Sequence, residues 1–257
     1  MESKIESLNL NKFKTLNQIK SKDNTELLIP TRRPLEILMT LGWIPVDVQE
    51  VNSKKYKGYQ PHTVRLRNEH YSRLIEDGCP ELILKTAHIP KSSFRFMLGF
   101  HKYSSGENFI VNTDEIEKET VRHYGYGDDK LREAVYKITS KIGLVLLQIQ
   151  NFKQKKLSFA EEEKYMTMVS EALDIKPVRL FELSLSTKLE DSVQGKRNLW
   201  QSMTVLHNNI INGKYYILSV NDKIRKAKVN IGMNQVELIS KTIWNISNEF
   251  IKTNNIH

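Results

Sequence analysis

An α+β fold is what this sequence predicts, and three observations carry it. Between residues 60 and 124, short apolar runs alternate with basic and histidine positions, and Gly, Pro and Ser breaks separate them. That is the pattern of a curved antiparallel sheet with one basic face. From Asp128 onward the apolar residues recur at steps of three and four, the period of helices. The 39% hydrophobic and 27% charged content then fits a globular chain with a real core.

The expected organisation is a polar arm over residues 1–30 and a single α+β domain over 31–257. Within it, 31–125 is the strand-rich core and 126–257 is mainly helical. The arm is rich in Lys, Asn and Ser, and no chemistry is assigned to it. Thr31-Arg32-Arg33-Pro34 predicts a helix start and Gly42 its stop, with Leu35, Leu38, Met39 and Leu41 as the apolar face. Trp43 to Val48 predicts a strand, and Pro45 places it at an edge or on a bulge.

Lys54, Lys55, Tyr56, Lys57 and Tyr59 form a basic, tyrosine-containing loop of the kind that holds a phosphate backbone and stacks bases. The next strand runs from His62 to Arg67. His62, Val64 and Leu66 share one face; Thr63, Arg65 and Arg67 share the other. Two arginines on a strand face are costly to bury unpaired, so that face is expected to meet solvent, acidic partners or phosphate. Leu82 to Thr86, Phe94 to Tyr103, Phe109 to Thr113 and Glu119 to Tyr124 complete the strand set, with a hairpin turn at Ser104-Ser105-Gly106. The Phe94 segment could alternatively open as a helix.

A long helix capped by Asp128 or Asp129 and running through Leu131, Val135, Ile138, Ile142, Val145 and Ile149 is expected to cover the sheet. Ser158 to Glu161 is a capping box for the next helix. Residues 182–193 are ambiguous. Helices are predicted over Leu199 to Ile211, ending at Asn212-Gly213, and over Gln235 to Lys252. Between them, Lys214 to Lys228 is a basic stretch around Tyr215-Tyr216.

The net charge of +9 and pI near 9.4 favour an anionic partner, nucleic acid before a membrane surface. The single cysteine, Cys79, excludes an internal disulfide and a cysteine-built zinc site. No apolar run reaches membrane-spanning length, and the start of the chain lacks a signal-peptide core, so a cytoplasmic location in a bacterial host and no membrane association are expected. Acidic pairs sit at helix starts, where the macrodipole explains them. No phosphate-binding loop or nucleophile elbow is visible. The chemistry therefore leans against an enzyme, and no cofactor is implied.

In order along the chain stand Leu41-Gly42-Trp43-Ile44-Pro45-Val46, His62-Thr63-Val64-Arg65-Leu66-Arg67, and Glu81-Leu82-Ile83-Leu84 followed by His88 and Ser92-Ser93. Val121-Arg122-His123-Tyr124-Gly125, Asn198-Leu199-Trp200-Gln201 and Ile243-Trp244-Asn245-Ile246 follow. On these residues, from Pro34 to Phe250, the chain resembles the phage/plasmid-like domain-of-unknown-function 932 family (YafZ/YfjQ type). His62, His88, Asn112 and His123 are the positions that match its motifs. Around His88 and Asn112 this chain lacks the aspartate and glycines of the family pattern. The resemblance implies a mobile-element origin and work on nucleic acid. The strand-then-helix order also looks like the core of single-strand annealing proteins, a likeness of architecture.

The expected function is non-enzymatic nucleic-acid binding, single-stranded DNA first, in replication, recombination or annealing, with homo-oligomerisation compatible with it. Arg65, Arg67, Arg95, Lys102 and Arg122 are expected on phosphates, and Tyr56, Tyr59 and Tyr103 on bases. Lys54 and Lys55 add to that surface, and Lys223, Arg225, Lys226 and Lys228 extend it. The alternatives are a metal-dependent, nuclease-like enzyme built on His62, His88 and His123, and an interaction protein that inhibits a host defence factor.

Overall fold

The protein is described by a computed structural model covering residues 5–23, 27–52, 54–111, 113, 115–183, 197–218, 223–227 and 232–254. The chain divides into two compact units, the first ending at Ile142 and the second beginning at Gly143, with Val111 and Thr113 assigned to the second.

The first unit holds an open antiparallel sheet: β1 (Trp43–Glu50), β2 (His62–Asn68), β3 (Gly78–Thr86), β4 (Ser93–Lys102), β5 (Asn108–Val111) and β6 (Glu119–Arg122). The order is β1-β2-β3-β4-β5, and β6 also pairs with β4. The Phe94 segment is strand from its start. Pro45 satisfies both readings of its place. β1 is the edge strand, and its register shifts between Pro45 and Asp47. The Pro45 carbonyl accepts from the Leu8 N–H at 3.0 Å, so the N-terminal arm meets that edge at one point.

Helix α1 (Arg32–Thr40) ends at Gly42, whose φ of +81° suits a residue without a Cβ. A short α2 (Glu69–Ser72) links β2 to β3. The long helix expected from Asp128 is two helices, α3 (Asp128–Thr139) and α4 (Ile142–Gln154), and only α3 belongs to the first unit. Back-bonding hydroxyls mark the break: Thr139 Oγ1 donates to the Val135 carbonyl at 2.8 Å and Ser140 Oγ to that of Lys137 at 2.9 Å. Neither aspartate caps α3. Gly127 is the N-cap, and Asp128 instead pairs with Arg33 at 2.5 Å.

Helix α3 packs on β4 and β6, and α1 packs on β1. The sheet face beneath carries Val64, Leu66, Leu82, Leu84, Phe94, Phe96 and Leu98, all buried. The opposite face is buried in its middle too, at Ile83 and Met97. Gly99 permits this, because a Cβ there would lie 2.7 Å from Ile83 Cδ1 and 2.9 Å from the Phe109 carbonyl.

The second unit contains α4, α5 (Phe159–Ala172), α6 (Leu199–Ile211), a hairpin of β7 (Tyr216–Leu218) and β8 (Ile224–Lys226), and α7 (Met233–Asn254). Ser158 and Glu161 form the capping box of α5, and Asn198 with Gln201 forms a second one at α6. The core joins Phe152, Tyr165, Trp200, Trp244 and Phe250. Two of its polar contacts lie within it: Trp244 Nε1 donates to Gln148 Oε1 at 2.7 Å, and the Tyr165 and Ser247 hydroxyls meet at 2.7 Å. Most of the ambiguous stretch over 182–193 lies outside the described residues.

Candidate nucleic-acid surface at the basic end of the sheet

Register decides which basic residues meet. His62 pairs with Thr86, so the β1–β2 loop and the β3–β4 turn leave the sheet at the same end. Lys54 and Lys55 lie exposed in the loop, Lys91 in the turn. One cross-strand row at this end runs Gln49, Thr63, Lys85, Arg95, Thr120. Lys85 stands directly opposite Arg95, and Ser93 opposite Arg122 puts Arg122 on the same face, one diagonal step away. Arg95 and Arg122 are both exposed.

Beyond Arg122 the surface turns into a groove between β6 and α3, with a volume of 540 Å³. Thr120, Arg122, Tyr124, Lys130 and Lys137 line it, with Glu119 and Glu133 as its acids. Tyr124 is 96% exposed. Lys130 Nζ donates to the Gly125 carbonyl at 2.8 Å, which braces the turn after Tyr124. In the β1–β2 loop the Tyr56 ring is occupied by cations, with Lys22 Nζ 4.8 Å and Lys55 Nζ 5.4 Å from its centroid. Tyr56 therefore orders lysines rather than offering a free stacking face. Tyr59 is half-buried.

Other expected contacts lie elsewhere. Arg65 is buried one step in from the row, and its Nη1 donates to Glu81 Oε2 at 2.5 Å. Arg67 Nε donates to Glu81 Oε1 at 2.9 Å. The acidic partner expected for this strand face is thus inside the sheet, and Arg65 is withdrawn from any phosphate. Lys102 and Tyr103 are at the far end of β4, about 23 Å from Arg95 at the usual rise per strand residue. Tyr103 is exposed at its ring, but its hydroxyl sits beside Cys79, and burial raises the titration of both groups. Lys223, Arg225 and Lys226 are exposed on the hairpin of the second unit. Lys228 and Asn112 lie outside the described residues.

The three motif histidines do come together, directly beneath the basic end. The His62 and His88 ring centroids are 5.4 Å apart, and those of His88 and His123 are 6.2 Å apart. All three side chains are buried. Their hydrogen bonds fix neutral tautomers. His62 Nδ1 donates to the Gln60 carbonyl at 2.9 Å, leaving Nε2 to accept from Thr31 Oγ1 at 2.9 Å. His123 Nδ1 accepts from the Ile29 N–H at 3.2 Å, so its Nε2 carries the proton. Both His88 nitrogens are buried without a hydrogen-bond partner. Burial, then its two histidine neighbours, lowers the His88 titration to about 3; burial lowers that of His62.

Neutral imidazoles suit a metal, but His62 spends its lone pair on Thr31 and His123 spends its own on Ile29. Among the described residues no group of three or more His, Cys, Asp or Glu side chains is arranged to hold a metal ion. The cluster instead ties the arm at Ile29 and Thr31 to β2, the β3–β4 turn and the end of β6, which orients Arg122 and Tyr124 on either side of His123.

The sequence reading missed Lys22, Tyr124 and Lys130. Tyr124 was signalled by the Arg122-His123-Tyr124 alternation, which sends the histidine inward and its neighbours outward. Lys22 had no signal, since only tertiary packing brings the arm to Tyr56. No helix among the described residues is long and apolar enough to cross a membrane. Comparison with family models, curated proteins and solved structures finds no match to this chain.

Proposed function

We propose that this protein binds nucleic acid without chemical catalysis, with single-stranded DNA as the preferred form, in replication or recombination of a phage- or plasmid-type mobile element. The family resemblance of its motifs and the net charge of +9 support the setting. One observation carries the binding: Lys85 opposite Arg95, with Arg122 beside them, at an end of the sheet that also presents Lys54, Lys55 and Lys91. Like charges directly across a ladder weaken a sheet. A polyanion laid over that end turns the same charges to its own stabilisation. Tyr124 beside Arg122 offers a ring on which a base stacks, a contact that is tolerant of sequence.

Fluorescence anisotropy with a labelled single strand, across a salt series, tests this. Affinity should fall steeply with salt. The Arg95→Ala/Arg122→Ala variant should weaken binding about tenfold or more, and the log–log salt slope should drop by about 1.4, at roughly 0.7 per phosphate contact. Absence of binding at low salt, or an affinity flat with salt, overturns the proposal.

A further inference from the structure

We infer that the outer edge of β6, with α3 beside it, is a docking groove for an extended acidic peptide of a partner protein, which adds a strand to the sheet. This goes beyond the nucleic-acid reading and does not rest on it. β4 pairs with β3 along one side, and β5 and β6 share its other side. Glu119 to Arg122 pair with Phe96 to Ser93 across that ladder, which leaves the far side of β6 open. Among the described residues, no backbone or side-chain group hydrogen-bonds to that far side.

A short edge strand with a charge at each end discourages pairing with stray chains, and that alone would explain Glu119 and Arg122. It does not explain the space beside them. The 540 Å³ groove has all four residues of β6 along one wall, and the other wall is α3, from Lys130 to Lys137. Consecutive strand residues point to opposite faces. A groove that touches all four therefore follows the backbone edge rather than one face. At about 3.4 Å per residue the edge is roughly 14 Å long, room for one short strand.

The chemistry of an edge separates a peptide from DNA. Outward N–H and C=O groups alternate along it. A DNA backbone carries acceptors alone and leaves the carbonyls unanswered, whereas an extended peptide answers donors and acceptors alike. Charge then selects the peptide. Arg122 lies on the same face as Arg95; both are exposed, with no ion-pair partner among the described residues. The α3 lysines are engaged: Lys137 pairs with Glu133 at 2.8 Å, and Lys130 bonds the Gly125 carbonyl at 2.8 Å. A strand laid against β6 thus gains most from carboxylates on the Arg122 face. Its alternate residues fall on the other face, toward buried Val121 and Ala134, which favour apolar side chains. The fitting segment alternates acidic and apolar residues.

The test uses the full chain and a labelled ten-residue peptide of alternating Glu and Val. Anisotropy should show binding, and hydrogen exchange should slow at the amides of Glu119 to Arg122. The same peptide N-methylated at every backbone nitrogen should bind about tenfold or more weakly, since it cannot donate to the ladder. Arg122→Glu should weaken the Glu–Val peptide about tenfold, a favourable cross-strand pair having become an unfavourable one. It should strengthen binding of a Lys–Val peptide, which also reports that the variant is folded. No binding of the Glu–Val peptide, equal affinity for its N-methylated form, or slowed exchange away from β6 overturns the inference. So does single-stranded DNA that slows exchange at the β6 amides where the peptide does not, which would give the groove to nucleic acid. Peptide bound with single strand refused removes the nucleic-acid reading alone.

Discussion

Lys85 and Arg95 face each other directly across the β3–β4 ladder, two cations where a sheet would gain from opposite charge. Arg95→Thr should therefore raise stability while it lowers nucleic-acid affinity. The gain expected from removing a like-charged cross-strand pair is about 0.2–1 kcal/mol. Urea denaturation and anisotropy on the same variant check the two signs together. A loss of both would mean that Arg95 supports the fold rather than a ligand.

Glu81 is fully buried and accepts from both Arg65 and Arg67. Glu81→Gln keeps the shape but leaves two guanidinium groups without a counter-charge. Breaking a buried pair in this way costs about 3–5 kcal/mol. The midpoint of urea unfolding should fall accordingly. Arg65→Ala should unfold the sheet more readily, and its effect on binding should follow the fraction folded.

The neutral histidines make the first unit acid-sensitive. The His88 titration is lowered in the folded state to about 3, so below its ordinary value near 6.5 the unfolded chain takes up a proton that the folded chain refuses. Its contribution is complete above about pH 6.5 and is lost progressively as pH falls toward 3. From this group alone, stability at pH 5 should be about 2 kcal/mol below that at pH 7. His88→Phe should flatten the profile over that range. Denaturation midpoints measured from pH 7 to pH 4.5 check it, and a variant with an unchanged slope would remove His88 as the cause.

Gly78 opens β3 where a Cβ would stand 2.3 Å from the His101 carbonyl and 2.5 Å from the Phe100 ring. Gly78→Ala should cost about 3 kcal/mol or more, since the ring is buried and the carbonyl belongs to the ladder. In contrast, Gly127 has open space at that position, and Gly127→Ala should change stability by under about 1 kcal/mol. Thermal melting of the two variants side by side tests the difference.

Ser158 holds the start of α5 through its capping box with Glu161. Ser158→Ala should lower stability by about 1 kcal/mol through the second unit. Lys155 and the Ser158 hydrogen bonds hold the Glu161 carboxyl down to about 2, so the box should persist in mildly acidic solution. Denaturation of the variant at pH 7 and pH 5 should give the same difference.

Local chemistry made many elements legible. Ser158 and Glu161, Gly42, Pro45 and the period of Leu199 to Ile211 each act within a few residues, so the chain states them directly. The period-2 rule also placed Arg65 and Arg67 on one face correctly. It could not say that this face is buried in the middle of the sheet, because that depends on Glu81, brought opposite Arg67 by strand register. The helix break at Ser140 was hidden because the apolar period continues from Ile138 to Ile142 without a missed step.

The sequence by itself determined the α+β class, most strands and helices, the caps and the excess of positive charge. Those follow from residue size, backbone preference and spacing along one chain. Tertiary structure alone decided where each charge stands. Register set Lys85 against Arg95 at an open end and Glu81 between two arginines inside. Packing of the arm brought Thr31 and Ile29 to the histidines and turned three candidate ligands into a neutral strut. Such outcomes depend on contacts between residues far apart in the chain, whose energies arise only once the strands and the arm have packed together.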